Sequence, residues 1–114
     1  MKLGYVVLSA RDLLATKAFY EVLGAVFVEE QHAKGPVHYA VTFLDGTVVE
    51  IYPLRKPAEQ GFAEPRRMGW VVLDREDVFA RLAQAGYMPS RSLGGAYEVR
   101  DPDGRVVELL ENVS

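Results

Sequence analysis

Two glutamates lie in nearly the same seven-residue segment, which occurs once in each half of the chain at residues 45–51 and 103–109. A second pair of similar segments, 5–8 and 70–73, each precede an acidic residue that is a typical helix start. The glutamates are 58 positions apart and the aromatic residues that open the second pair are 65 apart, so the copies differ by a short length change. The chain is therefore predicted to contain two copies of one supersecondary module.

The two modules are expected to share one core. A chain of 114 residues that is 49% hydrophobic can bury one core, whereas each half alone would be marginally stable. We predict a single domain over 1–114, with module 1 at about 1–53, a linker at about 54–68 and module 2 at about 69–114. The linker is proline-rich and basic, and a solvated connector is favoured over the mouth of a site for an anionic ligand.

The composition excludes several functional classes. A net charge of −3 with interspersed signs provides no broad basic surface for nucleic acid. No apolar run approaches the roughly 20 residues that cross a bilayer, so no membrane partner is expected. The absence of cysteine excludes disulfides and thiolate chemistry. The N-terminal residues lead into a strand pattern without a signal-peptide segment, which favours a cytoplasmic location.

Each module is predicted to have the order βαβββ, which makes the fold class α+β. In module 1 we predict strands at 3–8, 25–31, 36–44 and 47–52, and a helix from the cap Asp12 to Gly24. Module 2 repeats the pattern with a strand at 70–73, a helix from Asp74 to Gly86, a short strand near 87–91 and a hairpin turn at 101–104. The pair Asp45-Gly46 favours a two-residue hairpin loop, in which both residues need positive φ.

Side-chain alternation in such a hairpin predicts the surroundings of Glu50. Val41 would lie opposite Glu50, and the same face of the sheet would carry Tyr39, Phe43 and Tyr52. The other face would pack under the helix, and His38 would belong to it. The glutamate face is then a concave, aromatic and acidic pocket. By the repeat, Glu108 would lie opposite Glu50, with Tyr97 on the neighbouring strand.

The chain resembles the vicinal oxygen chelate superfamily, which includes glyoxalase I, bleomycin-resistance proteins and extradiol dioxygenases. The resemblance rests on Asp12 followed by the segment 19–24, on Asp45-Gly46 with Glu50, and on 101–104 with Glu108. It implies two tandem βαβββ modules that form a curved, incomplete barrel around a central cavity. It also implies a homodimer, with both modules of one chain around one cavity or with modules exchanged between partners.

In metal-using members, the resemblance implies one ligand from the first strand of each module and one glutamate from each fourth strand. Glu50 and Glu108 match the glutamates, but Tyr5 and Trp70 stand at the predicted first-strand positions. The indole nitrogen of tryptophan is only a donor, and a neutral phenol is a poor ligand. No cofactor is therefore favoured, although Glu50 and Glu108 could still hold a divalent ion such as Mg²⁺ or Mn²⁺. His32 and His38 are interpreted as structural or surface residues.

The favoured function is a metal-free small-molecule-binding protein of the bleomycin-resistance type. The predicted ligand-binding residues are Tyr5, Tyr39, Phe43, Glu50, Tyr52, Trp70, Tyr97 and Glu108, and no catalytic residue is assigned. One alternative is a superfamily enzyme, such as a metal-dependent lyase, isomerase or dioxygenase that uses Glu50 and Glu108, although glyoxalase I activity itself is not expected. The second alternative is an accessory protein whose cavity is filled by side chains.

Overall fold

The computed structural model describes residues 1–54 and 67–111. In chain order, the described residues form β1 (Tyr5–Ala10), α1 (Leu13–Leu23), β2 (Val28–Glu30), β3 (His38–Thr42), β4 (Val48–Pro53), β5 (Arg67–Val72), α2 (Arg75–Gln84), β6 (Ser90–Arg91), β7 (Tyr97–Arg100) and β8 (Val106–Glu111). This order is βαβββ repeated twice, as predicted. Most of the predicted linker, residues 55–66, lies outside the described residues, and its last two positions, Arg67 and Met68, belong to β5.

The strands form two four-stranded sheets with the same topology, β1-β4-β3-β2 and β5-β8-β7-β6. The first strand of each module pairs in parallel with the fourth, and the remaining pairs are antiparallel. Neither sheet is closed on itself. The predicted α+β fold with two tandem modules is therefore confirmed. Among the described residues, no helix has the length and apolar character needed to cross a membrane.

Both helices begin and end where the sequence predicts. The Asp12 side chain accepts a hydrogen bond from the Ala15 N–H at 3.0 Å, and the Asp74 side chain does the same for Asp77. These bonds satisfy backbone donors that have no partner inside the helix. Gly24 follows α1 with φ of +114°, a left-handed conformation that glycine adopts without steric cost.

The hairpin between β3 and β4 differs from the prediction. The Phe43 N–H donates to the Thr47 carbonyl at 2.8 Å, so three residues, 44–46, form the loop instead of two. Only Gly46 among them has positive φ. This is the three-residue type of hairpin loop, in which glycine at the last position takes the left-handed conformation.

The extra loop residue shifts the register of β3 by one position. Ala40 lies opposite Glu50, and Val41 lies opposite Val49. Because alternate side chains of a strand point to opposite faces, the predicted faces of β3 are interchanged. His38 therefore shares a face with Glu50, while Tyr39 and Phe43 lie on the other face. The prediction that His38 lies on the other face of the sheet from Glu50 is wrong.

One hydrophobic cluster joins the two modules. It contains Leu8, Ala10, Phe19, Tyr20, Leu23, Val41, Val49, Ile51, Val72, Val78, Leu82, Tyr97, Val99, Val107 and Leu109. The residues that flank each glutamate along its strand are in this cluster: Val49 and Ile51 in β4, and Val107 and Leu109 in β8. Glu50 and Glu108 consequently point away from the shared core.

A buried polar network also connects the modules. Asp101, at the start of the second hairpin, accepts hydrogen bonds from the Tyr20 hydroxyl at 2.7 Å and from Arg105 Nη1 at 2.9 Å. Arg105 Nη2 donates to the Ser9 carbonyl at 2.6 Å. Asp103 accepts from the Thr16 hydroxyl at 3.0 Å. The second hairpin is thus fixed to β1 and α1 of the first module.

Candidate functional site

The face of the first sheet that carries Glu50 is open to solvent along β1. Parallel pairing places Tyr5 beside Val48 and Val7 beside Glu50, so the Tyr5 and Val7 side chains lie on this face. Tyr5 is 65% exposed and Val7 is 42% exposed. An aromatic ring, an apolar side chain and a carboxylate are therefore presented side by side on a regular sheet.

His38 is a buried polar member of this face. Its side chain is 1% exposed, and its Nε2 lies 3.3 Å from Glu30 Oε1 and 3.4 Å from Glu50 Oε2. Its Nδ1 lies 3.3 Å from the Pro36 carbonyl oxygen. The imidazole is stacked on the Tyr52 ring with centroids 4.0 Å apart, and the His32 ring lies 5.0 Å away. Neighbouring strands thus bring two histidines and two glutamates together.

The equivalent face of the second sheet has different electrostatics. Arg67 Nη1 lies 3.3 Å from Glu108 Oε1, and Arg67 Nη2 lies 3.1 Å from Glu98 Oε2. The guanidinium therefore neutralises part of the charge of both carboxylates. A cleft of about 300 Å³ opens beside this cluster and is lined by Met88, Ser90, Glu98, Val99, Arg100 and Val106.

The structure brings together three of the predicted site residues, because Tyr5, Glu50 and Tyr52 share one face of the first sheet. Glu108 lies on the equivalent face of the second sheet. Glu50 is beside His38, and Glu108 is beside Arg67. The placement of Glu108 opposite Glu50 across one cavity stays a prediction.

The other predicted residues lie on the helix-facing sides of their sheets. The Lys17 ammonium lies 5.0 Å from the centre of the Tyr39 ring. Trp70 packs between Tyr20 and Phe43, with ring centroids 5.1 and 5.5 Å away. Tyr97 is 5% exposed and packs against α2. These four aromatic side chains thus contribute to packing between sheet and helix.

The module equivalent of Tyr5 is Arg67, and Trp70 is the equivalent of Leu8. Tyr5 pairs with Val48 two residues before Glu50, and Arg67 pairs with Val106 two residues before Glu108. A sequence signal could have found this match, because Tyr5 and Arg67 each lie seven residues before the helix cap of their module. Matching by aromatic character gave Trp70 instead.

The metal ligand set that the sequence resemblance implies does not fit these residues. At the first-strand positions the chain has a phenol, Tyr5, and a guanidinium, Arg67. Arginine has no acceptor atom and stays protonated, so it cannot bind a cation. It instead forms ion pairs with Glu98 and Glu108.

Comparisons with known proteins agree with the fold. The sequence model of the Glyoxalase/Bleomycin resistance protein/Dioxygenase superfamily matches residues 2–109. A comparison with curated proteins found no significant match. Oxidase ChaP-H2 has a TM-score of 0.71 at 18% identity, with 99% of this chain and 94% of that chain covered. A glyoxalase/dioxygenase from Nostoc punctiforme has a TM-score of 0.72 at 18% identity, with 99% of this chain and 92% of that chain covered. A possible glyoxalase from Bacillus cereus has a TM-score of 0.68 at 16% identity, with 96% of this chain and 98% of that chain covered.

Proposed function

Because the chain belongs to the Glyoxalase/Bleomycin resistance protein/Dioxygenase superfamily, we propose that it binds a small organic molecule on the Glu50 face of the first sheet. The observation that carries this proposal is the difference between the modules. Glu108 is paired with Arg67, whereas no lysine or arginine of the described residues forms an ion pair with Glu50. Glu50 is therefore the carboxylate that we assign to the ligand.

The chemistry of this face favours a flat molecule, and a positive charge would add to its affinity. The exposed Tyr5 ring can stack on an aromatic or conjugated group, and Val7 extends the apolar surface beside it. A ligand cation placed near both the ring and Glu50 would gain from cation–π and charge–charge attraction. These are the features of a sequestering protein of the bleomycin-resistance type.

The alternative of an enzyme that uses Glu50 and Glu108 together on one hard metal ion receives less support. Arg67 already pairs with Glu108, and each glutamate belongs to a different sheet. The names of the structural relatives include an oxidase and glyoxalases, but identities of 16–18% show a shared fold and do not show a shared reaction. The alternative of a filled cavity is opposed by the exposure of Tyr5 and Val7.

The proposal is tested by calorimetric titration with bleomycin and with planar aromatic cations such as acridine orange. Each titration is made with and without EDTA. We expect saturable binding that weakens in the Tyr5→Ala variant by about tenfold, which corresponds to the loss of one aromatic contact of about 1.4 kcal/mol. Tyr39→Ala is the matched control, because it removes a tyrosine from the opposite face of the same sheet.

Equal affinity in wild-type protein and Tyr5→Ala would place the ligand elsewhere and contradict the proposal. So would a loss of binding in Tyr39→Ala that exceeds the loss in Tyr5→Ala. The absence of binding for all probes, together with occupied faces in a crystal structure, would favour the accessory-protein alternative.

A further inference from the structure

Four metal-binding side chains converge at the outer end of the Glu50 face. They are Glu30 at the end of β2, His32 just after it, His38 in β3 and Glu50 in β4. One ligand atom from each lies within 4.8 Å of the ligand atoms of the other three. Antiparallel pairing of Glu30 with His38 and of Ala40 with Glu50 places these groups on one face of the sheet.

His38 provides an independent indication of a ligand. Its side chain is 1% exposed, and its Nε2 has no hydrogen-bond partner among the described residues. A buried polar atom without a partner is destabilising, and such atoms are rare in native proteins. In the tautomer that donates from Nδ1 to the Pro36 carbonyl, the Nε2 lone pair is directed at the cluster. Backbone carbonyls fix metal-binding histidines in this same way.

A bound cation would balance the charges of the cluster. Glu30 and Glu50 place two carboxylates next to the Nε2 lone pair, and within the described parts of the chain no lysine or arginine pairs with either glutamate. Acceptors alone repel one another at these distances.

The donor types favour a transition metal, and the distances from His38 are compatible with one. Two ligands bound to one ion at about 2.0–2.1 Å are themselves roughly 3.0–3.5 Å apart. Nε2 of His38 lies 3.3 and 3.4 Å from the two carboxylate oxygens, within this interval. Imidazole nitrogens favour zinc, iron, nickel and copper over magnesium or calcium.

We propose that Glu30, His32, His38 and Glu50 bind one divalent first-row transition metal ion, with Zn²⁺ as the reference ion. This centre shares Glu50 with the ligand set implied by the sequence resemblance, but its other donors come from β2, β3 and their connection and not from a first strand. It rests on the proposed function in sharing the Glu50 face: an ion bound by Glu50 takes the place of a ligand's positive charge there, and Tyr5 and Val7 remain for the organic ligand. Metal binding is measured with the ion alone, so it can fail or succeed independently of that function.

The test begins with protein stripped by EDTA and dialysed into chelator-free buffer. We expect Zn²⁺ titration to give one binding event per chain and a rise in melting temperature. Co²⁺ should give visible absorption bands of a four- or five-coordinate site, which Zn²⁺ abolishes by displacement. Glu50→Gln and His32→Ala should each weaken Zn²⁺ binding by at least about tenfold, since each removes a ligand.

Glu108→Gln is the matched control, because Glu108 is the module equivalent of Glu50 but lies beside Arg67. It should leave the Zn²⁺ affinity and the Co²⁺ spectrum unchanged. His38→Gln is a further ligand variant, and the exposed His32 provides a variant that does not disturb the buried part of the sheet. No saturable Zn²⁺ binding, or equal binding in wild type, Glu50→Gln and His32→Ala, would overturn the proposal.

Discussion

Asp101 and Arg105 form the most deeply buried ion pair of the described residues, with side-chain exposures of 0% and 4%. Removing one partner of such a pair leaves an uncompensated charge and typically costs about 3–5 kcal/mol. Here the pair also positions the Tyr20 hydroxyl, whose oxygen lies 2.7 Å from Asp101 Oδ2. These residues therefore hold the second hairpin against α1 and do not belong to the candidate site.

Tyr20 makes the stability of the fold sensitive to alkaline pH. Burial, together with the neighbouring Asp101 carboxylate, raises the pKa of Tyr20 above its ordinary value of 10.0. A raised folded pKa means that the unfolded state loses this proton first, so the stabilisation is complete below pH 10 and is lost as pH rises above it. We expect the free energy of unfolding to fall by about 1.4 kcal/mol per pH unit above pH 10 from this residue alone.

Tyr20→Phe should remove that part of the alkaline slope while lowering stability at pH 7 by roughly 1.5–3 kcal/mol, the contribution of a hydrogen bond to a charged group. Urea unfolding at pH 7, 9, 10 and 11 measures both effects. Tyr5→Phe is the control, because Tyr5 is 65% exposed. An unchanged slope in Tyr20→Phe would assign the alkaline sensitivity to other groups.

Among the secondary-structure elements, the hairpins show why the fold was more predictable than the site. Strand order, helix caps and the Asp-Gly loops depend on local patterns that the chain repeats. Asp-Gly suits both two-residue and three-residue loops, so the sequence did not fix the register. A shift of one residue left the strand in place but interchanged its faces. That single difference placed His38 on the same face as Glu50 and placed Tyr39 and Phe43 on the other face, away from the site.

The first strands illustrate a second limit of the sequence. An apolar segment such as 70–73 predicts a strand but not the residue at which pairing begins. The structure extends β5 back to Arg67, at the end of a basic, proline-rich stretch that resembles a linker. Glu50 and Glu108 lie at equivalent positions, as the repeat predicts, but their neighbours are determined by pairing between strands that are distant in sequence.

The second hairpin loop gives a prediction at the scale of the element. Gly104 has φ of +91°, and a Cβ built there would contact no atom within 4 Å, so substitution by alanine tests backbone strain alone. We expect Gly104→Ala to lower the free energy of unfolding by about 1–2 kcal/mol. Gly94→Ala, at a glycine without positive φ, is the control. Equal stability of the two variants in urea titrations would contradict the assigned loop conformation.

At the scale of the whole molecule, neither glutamate face is covered by a helix or a second sheet among residues 1–54 and 67–111. Both point away from the shared core, and each carries exposed apolar side chains: Val7 on the first sheet and Val71, 63% exposed, on the second. A sheet face of this composition is typically covered by another layer. Because modules 1 and 2 have the same topology, a second copy of the chain offers a surface of matching shape.

We therefore expect a homodimer in which the faces around Val7 and Val71 are covered by the other copy, which encloses the small-molecule site on the Glu50 face as a cavity instead of filling it. Sedimentation at micromolar concentration should give about twice the chain mass of 12.7 kDa. Val71→Lys should shift the protein toward monomer, because a lysine buried without a partner costs several kcal/mol, and it should leave the monomer folded, because Val71 is outside the core. Leu44→Lys, on an exposed loop, should not change the mass.

If module 1 of one copy meets module 2 of the other, Val7→Glu combined with Val71→Lys should restore the dimer through opposite charges. A wild-type monomer would leave the Glu50 face open and would contradict an enclosed cavity.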